Sequence, residues 1–173
     1  MADITQFKAQ MLTGGARPNQ FKCIIAFPGI VSGGGIAGPK MEFLARAASL
    51  PESMVGDIAV PYRGRVVHFA GEREFQPWNI EVYTDNDFVV RSALEDWVNK
   101  IQNASTTNGI LEPLAYQTDI QVYQLDRNDA IVKKYNFKDA YPLSVGAIQL
   151  SWDMTNQIEA YPVAFQYNYW EPV

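Results

Sequence analysis

The sequence has 173 residues, of which 47% are hydrophobic and 19% charged, a composition that predicts one globular domain with a packed core. Its net charge of −5 comes from acidic residues spread along the chain, which argues against a surface that grips nucleic acid through clustered Lys and Arg. A single cysteine, a start without a signal-peptide pattern and the lack of any run of about 18 apolar residues predict synthesis in the reducing cytoplasm and no membrane segment.

The N-terminal arm, residues 1–16, is predicted to carry a short helix that Asp3 caps. Its apolar residues recur at spacings of three and four: Ile4, Phe7 and Met11. The segment NQFKCIIAF then alternates as a strand does, with one face formed by Phe21, Cys23, Ile25 and Phe27. The glycine-rich stretch 28–39 is predicted to be a surface loop, and residues 40–50 fit both a helix and a strand.

Proline and glycine interrupt residues 50–64, which predicts an extended loop. This loop is too apolar to lie free in water, because it contains Met54, Val55, Ile58, Val60 and Tyr62. It packs either on its own domain or on another copy of the chain. Residues 65–71 and 78–84 are predicted to be strands around a turn at Gly71.

The clearest helix is predicted over residues 86–102, with Asp85, Asn86 and Asp87 as N-cap candidates. One apolar stripe runs along it: Val90, Leu94, Trp97 and Ile101. Trp97 is therefore expected in the core.

The remaining chain predicts a loop followed by strands. The loop covers 103–113, and a hairpin follows with strands at 118–125 and 130–137 around DRND. Two further strands are predicted over 147–152 and 163–170, the latter with Val163, Phe165, Tyr167 and Tyr169 on one face. The fold class is mainly β: an antiparallel β-barrel or sandwich with one packed α-helix and a long extended loop, in a single domain over 1–173.

Residues 68–87 hold the only histidine together with several acids, which raises the question of a metal or acid–base centre. One histidine without a spare cysteine is a poor zinc set. Glu72 and Glu74 flank Arg73 beside a glycine, as solvated hairpin charges do, and His68 is expected to be a half-buried strand residue. We predict no catalytic, metal or cofactor site.

The stretch Gly33–Gly38 matches G-x-G-x-x-G and is the strongest enzyme signal in the chain. Residues 28–32 separate it from the preceding strand, whereas a dinucleotide site needs the first glycine at the strand end. A β-barrel that binds a ligand or nucleotide through this loop stays open as the alternative from a different class.

Several segments resemble, in this order, the tail tube proteins of contractile-tailed bacteriophages, with all four tryptophans in matching settings. They are ARPNQF (16–21), LPESMVGDIAVPYRGRVVHFAGEREFQPW (50–78), EDWV (95–98), YPLSVGAIQLSWDMTNQIEAYPV (141–163) and YWE (169–171). The glycine-rich loop and residues 103–113 depart from the family pattern, so no role is carried over to them.

The resemblance implies a virion protein whose hexameric rings stack into the inner tail tube, the conduit for DNA ejection. It implies a tail sheath protein outside, a tape measure protein inside during assembly, and baseplate or tube initiator and tail terminator proteins at the ends. DNA would pass through the lumen without specific binding, as the acidic charge allows.

In the family a long loop reaches a neighbouring protomer or ring, which the resemblance places at residues 50–64. The inter-subunit contact candidates are Met54, Val55, Ile58, Val60, Tyr62 and, near the end of the chain, Trp170. The tube subunit of a type VI secretion or other contractile injection system is the alternative that shares this architecture.

Overall fold

The structure is a computed structural model that describes residues 3–11 and 14–173. Its helices are α1 (Ile4–Gln10), α2 (Gly34–Leu44), α3 (Val89–Ile101) and α4 (Pro113–Tyr116). Its strands are β1 (Phe21–Ile25), β2 (Ala45–Ala48), β3 (Met54–Tyr62), β4 (Arg65–Glu74), β5 (Trp78–Tyr83), β6 (Thr118–Leu125), β7 (Ile131–Val145), β8 (Ala160–Gln166) and β9 (Tyr169–Pro172).

Within the described residues the strands form a seven-stranded antiparallel sheet and a separate two-stranded one. The large sheet has the order β1-β6-β7-β8-β5-β2, and β9 pairs with β7. Mainly antiparallel β structure is thus confirmed. The sheet is not a closed barrel, because its end strands β1 and β2 are not paired with each other.

The C-terminal strand is interrupted where the alternation of residues 163–170 predicts a continuous one. Strand β8 ends at Gln166, opposite Tyr141, and β9 resumes at Tyr169, opposite Lys138, in the same register along β7. The amide of Asn168 bridges the gap by donating to the carbonyl of Lys138. Of the four residues predicted to share one face, Val163, Phe165 and Tyr167 are buried, whereas Tyr169 is exposed.

The core lies between the large sheet and two helices, α2 and α3, rather than the single packed helix that the sequence predicts. On α3 the apolar stripe is confirmed, with Val90, Leu94 and Trp97 fully buried. The Trp97 indole donates to the carbonyl of Tyr116 at 2.8 Å and packs on Phe27. Tertiary packing therefore satisfies the polar atom of the largest core side chain.

Cys23 lies in the same core on β1 and is fully buried. Burial raises the pKa of its thiol to about 12. The thiol therefore stays protonated at neutral pH, and since the thiolate is the reactive form, Cys23 is inert towards oxidants in the folded protein.

The prediction of a surface loop over 28–39 is wrong from Gly34 onward, because α2 begins in the middle of the glycine run. The helix buries Ala37 and Met41 and contains Pro39, a residue of low helix propensity. Packing against β1 outweighs that propensity here. The ambiguous segment 40–50 is helical up to Leu44 and a strand from Ala45.

The predicted capping of α3 by Asp85, Asn86 or Asp87 is also wrong. The helix starts at Val89, with Phe88 as an N-cap at φ 53° that makes no side-chain cap. Asp85 and Asp87 instead bind the Lys40 ammonium, at 2.7 and 3.3 Å. The Asp85 hydrogen bond raises the pKa of Lys40, and the pair ties α2 to the connection between β5 and α3.

The strand predicted over 147–152 is absent, and residues 146–159 form an irregular connection between β7 and β8. Every residue from 149 to 159 is exposed. The apolar side chains of residues 149–159 do not pack on the core of the domain. The alternating pattern alone therefore does not produce a strand there.

Candidate assembly surface

The segment predicted as an extended loop over 50–64 contains β3, the first strand of a β-hairpin whose second strand is β4. The turn is at Arg63-Gly64, where both residues have positive φ angles of 47° and 83°, as a two-residue hairpin turn requires. The predicted turn at Gly71 is therefore wrong, since Gly71 lies inside β4. In the described residues β3 and β4 pair only with each other, so each has a free edge.

A β-bulge divides the hairpin into a base and an arm. The register shifts between Val55 and Asp57, where Gly56 stands opposite the extra residue on β4. A Cβ atom at Gly71 would lie 2.9 Å from the carbonyl oxygen of Gly56, so the two backbones approach more closely than other residues allow. Bulges bend and twist a hairpin, which sets the direction of the arm relative to the domain.

One face of the arm is apolar and exposed. Residues directly opposite in an antiparallel pair share a face, and Ile58 pairs with Phe69 and Val60 with Val67. The apolar face consists of Ile58, Val60, Tyr62, Val67 and Phe69, which are exposed by 52, 42, 62, 42 and 56%. The sequence indicates Ile58, Val60 and Tyr62 but misses Val67 and Phe69, because their strand is expected to belong to the core sheet.

The opposite face of the arm is mixed, with Asp57, Ala59, Pro61, Val66, His68 and Ala70, of which Val66 is 55% exposed. His68 Nδ1 lies 2.7 Å from Asp57 Oδ2, and Ala59 stands opposite His68. His68 is exposed rather than half-buried as predicted. The face with Ile58, Val60, Tyr62, Val67 and Phe69 is thus the more apolar of the two, and it has no partner among the described residues.

The base of the hairpin is fixed by Trp170. Its indole donates to the carbonyl of Glu52 at 3.1 Å, and the Arg73 guanidinium stacks on its ring at 4.8 Å. The ring also packs edge-on against Tyr135. Of the predicted contact candidates, Trp170 and Met54 are half-buried within the chain, whereas Val55 is exposed.

The acids of residues 68–87 do not converge on a metal or acid–base centre. Asp85 and Asp87 bind Lys40, while Glu72 and Glu74 are exposed along β4. Among the residues that the structure describes, no group of three or more potential ligands could hold a metal ion.

The glycine-rich stretch has a packing role. A Cβ at Gly34 would lie 2.7 Å from the Cβ of Phe27, and one at Gly38 would contact the carbonyl of Ile25. The Ser32 amide, just before α2, already donates to the Asp96 carboxylate at 2.8 Å. Gly34 therefore lets the start of α2 lie close to Phe27, and the Ser32 amide that could bind a phosphate is already paired with a carboxylate of the chain itself.

We expect Gly34→Ala to lower the free energy of unfolding by about 1–3 kcal/mol, because the Phe27 Cβ is fixed to the backbone and cannot rotate away. The matched control is Gly35→Ala, since a Cβ there meets nothing within 4 Å and alanine favours the helix. Urea unfolding of both variants checks this. Equal stability of the two variants would contradict the packing role.

A second exposed apolar segment lies at residues 149–159. Its apolar members are Leu150, Trp152, Met154 and Ile158, exposed by 77, 101, 50 and 69%. Leu150, Met154 and Ile158 line a groove of about 340 Å³ whose other wall includes Arg46 and Glu81. Two unpartnered apolar surfaces on one small chain indicate a protein built to contact others.

A family model described as "Phage tail tube protein" matches residues 16–172. The chain belongs to the phage tail tube protein family. It is 30% identical over 159 residues to tail tube protein gp19 of Enterobacteria phage T4, covering 90% of this chain and 91% of the relative. It is 26% identical over 152 residues to the tail tube protein of Serratia phage KSP90, covering 87% and 85%.

The fold of this tail tube protein also occurs in a sheath–tube complex of an extracellular contractile injection system, PVC, in its extended state. The TM-score is 0.63 at 12% identity, with 100% of this chain and 99% of that chain covered. The resemblance that the sequence indicates is therefore confirmed for both family and fold.

Membership in this family makes the chain a structural component of a phage tail rather than an enzyme. Throughout the described residues, no helix reaches both the length and the apolar character that a membrane span needs.

Proposed function

We propose that this tail tube protein assembles into hexameric rings that stack into the inner tube of a contractile phage tail, the conduit for DNA ejection. The observation that carries the proposal is the hairpin arm, whose apolar face projects from the domain with no partner in the described chain. Burial of apolar surface stabilises association by about 25 cal/mol per Å² before the costs of ordering, so such a face favours contact with another copy.

The free strand edges support the same proposal. In the described residues, β1, β2 and both hairpin strands each leave one edge unpaired. Exposed edges invite uncontrolled pairing unless a neighbour covers them. A head-to-tail contact repeated by rotation closes a ring, and its repetition by translation builds a tube.

The acidic chain suits a lumen for DNA. With a net charge of −5, the walls of an assembled tube would repel phosphates and let DNA slide without specific binding. A tape measure protein inside the growing tube, a sheath protein outside it, and initiator and terminator proteins at its ends complete the proposed partners. The sheath–tube complex with the same fold supports the sheath as one of them.

A phage tail is the setting we favour over a type VI secretion or other injection particle. The relatives that resemble the chain at 30% and 26% identity are phage tail tube proteins. The injection-system likeness, at 12% identity, shows a common fold alone.

Electron microscopy of the purified protein tests the proposal. Incubation at high concentration is expected to give rings and hollow filaments with six-fold averages. A monodisperse monomer under every condition, including addition of isolated baseplates as initiators, would contradict it.

A further inference from the structure

The hairpin and the exposed segment 149–159 lie at opposite ends of the domain. Strand β5 begins at Trp78, shortly after the hairpin base, and its last residue, Tyr83, pairs with Ala160 next to the segment. The strand has six residues, and the five steps between its first and last residue, at about 3.3 Å each, separate the two ends by about 17 Å. One apolar surface therefore projects from one end of the sheet, and the other lies at the far end.

The tip of the hairpin and the segment 149–159 also carry opposite charges. The hairpin tip has Arg63 in the turn and Arg65 beside Tyr62, and neither forms an ion pair with any described residue. Residues 149–159 contain Asp153 and Glu159 and no Lys or Arg. Neither acid has an ion-pair partner in the part of the chain that the structure describes.

The hairpin projects, and the opposite end is concave. The hairpin presents a narrow arm with an aromatic ring near its tip, Tyr62, over which the Arg63 guanidinium lies at 5.5 Å from the ring centre. The opposite end offers the groove in which Leu150, Met154 and Ile158 lie among polar residues, Gln157 and Glu159 included. Aromatic and arginine side chains are the preferred anchors of protein interfaces, and apolar pockets are where they insert.

We propose that the hairpin of one copy docks into the 149–159 groove of the next copy, with Tyr62 inserted among its apolar side chains and the tip arginines facing Asp153 and Glu159. This inference rests on the proposed function, since it names the acceptor surface of the self-assembly contact. The contact is head-to-tail, so the chain that gives its hairpin at one end accepts a neighbour's hairpin at the other.

Cysteine cross-linking between two variants tests the contact. Val60→Cys places a thiol on the apolar face of the hairpin, and Gln157→Cys places one on the groove wall; both sites are exposed and lack a hydrogen bond that the change would remove. Mixed under conditions in which the wild type forms tubes and then mildly oxidised, they are expected to give a disulfide dimer on a non-reducing gel. Each variant alone is expected to run as a monomer on the same gel, because the contact joins two different surfaces and only one of them then carries the new thiol.

The matched control is Ala59→Cys mixed with Gln157→Cys. Ala59 is adjacent to Val60 but lies on the opposite face of the arm, so we expect at least about a tenfold weaker dimer band. Native Cys23 is fully buried and does not take part.

A charge exchange gives a second measurement. Arg65→Asp and Asp153→Arg are each expected to reduce tube formation. Mixing the two variants is expected to restore contacts between them, because the exchanged charges again have opposite signs.

Electron micrographs of the same samples separate the two proposals. Tubes without the Val60–Gln157 dimer, or with an equally strong Ala59–Gln157 dimer, would overturn the docking site and leave the tail tube assembly standing. Failure of the wild-type chain to form tubes under any condition would overturn both.

Discussion

Ile58→Asp is expected to block tube formation at protein concentrations at which the wild type forms tubes, while leaving the isolated domain folded. Ile58 is 52% exposed in the single chain, so the change should alter the free energy of unfolding by no more than about 0.5 kcal/mol. In an assembly the same side chain would lie in a desolvated contact, where an unpaired charge is costly. A loss of about 2 kcal/mol per contact corresponds to about a 30-fold rise in the protein concentration needed for growth.

Sedimentation and electron microscopy across a concentration series measure that shift, and circular dichroism confirms the fold. Ala59→Asp is the matched control, since it adds the same charge one residue along the strand on the opposite face of the arm, where Ala59 stands opposite His68. Normal tube growth by Ile58→Asp would show that the apolar face of the hairpin is not the assembly contact. Equal inhibition by Ala59→Asp would show that tube growth does not depend on which face of the arm carries the added charge.

Residues whose pattern agrees with their packing can be predicted from the sequence. The apolar stripe on α3 and the apolar alternation in β1 and β8 each predict one face that packs on the core. Those faces are buried in the structure. The Asx-type turn between β6 and β7 is similarly local, because the Asp126 carboxylate accepts hydrogen bonds from the amides of Asn128 and Ala130.

The errors occur where tertiary contacts outweigh local signals. Gly34 and Pro39 argue against a helix locally, but close packing of α2 on β1 makes the glycine an advantage. Pro61 argues against a strand, yet a hairpin strand with a free edge tolerates a residue that cannot donate. The turn at Arg63-Gly64 lacks the usual asparagine or aspartate, so it gives a weak signal.

The assembly surface is partly predictable for a different reason. Its apolar residues are visible in the sequence, but periodicity cannot distinguish a face that covers its own core from one that awaits a neighbour. Residues 147–152 alternate like a strand, and the structure leaves Leu150 and Trp152 exposed in an irregular segment. A pattern without a partner inside the domain is what a subunit of a larger assembly would show.

Trp170→Ala is expected to lower the free energy of unfolding by about 2–3 kcal/mol, because it removes the packing on Tyr135, the stacked Arg73 guanidinium and the hydrogen bond to Glu52. Trp170→Phe keeps the ring contacts and loses the indole donor, so its cost should be about 1 kcal/mol. Urea unfolding measures both variants.

The stability measurement is cleanest in the Ile58→Asp background, where polymerisation does not add to the apparent stability. Tube growth is followed with the same Trp170 variants in the otherwise wild-type chain. The two measurements together distinguish two roles for a tryptophan near the chain end. If Trp170 fixes the hairpin base within its own chain, Trp170→Phe loses some monomer stability and Trp170→Ala loses more. Tube growth then falls as well, because the arm is no longer held in one direction. If Trp170 acts only on a neighbouring subunit, monomer stability stays unchanged while tube growth alone declines, and the base contact described here would be without consequence.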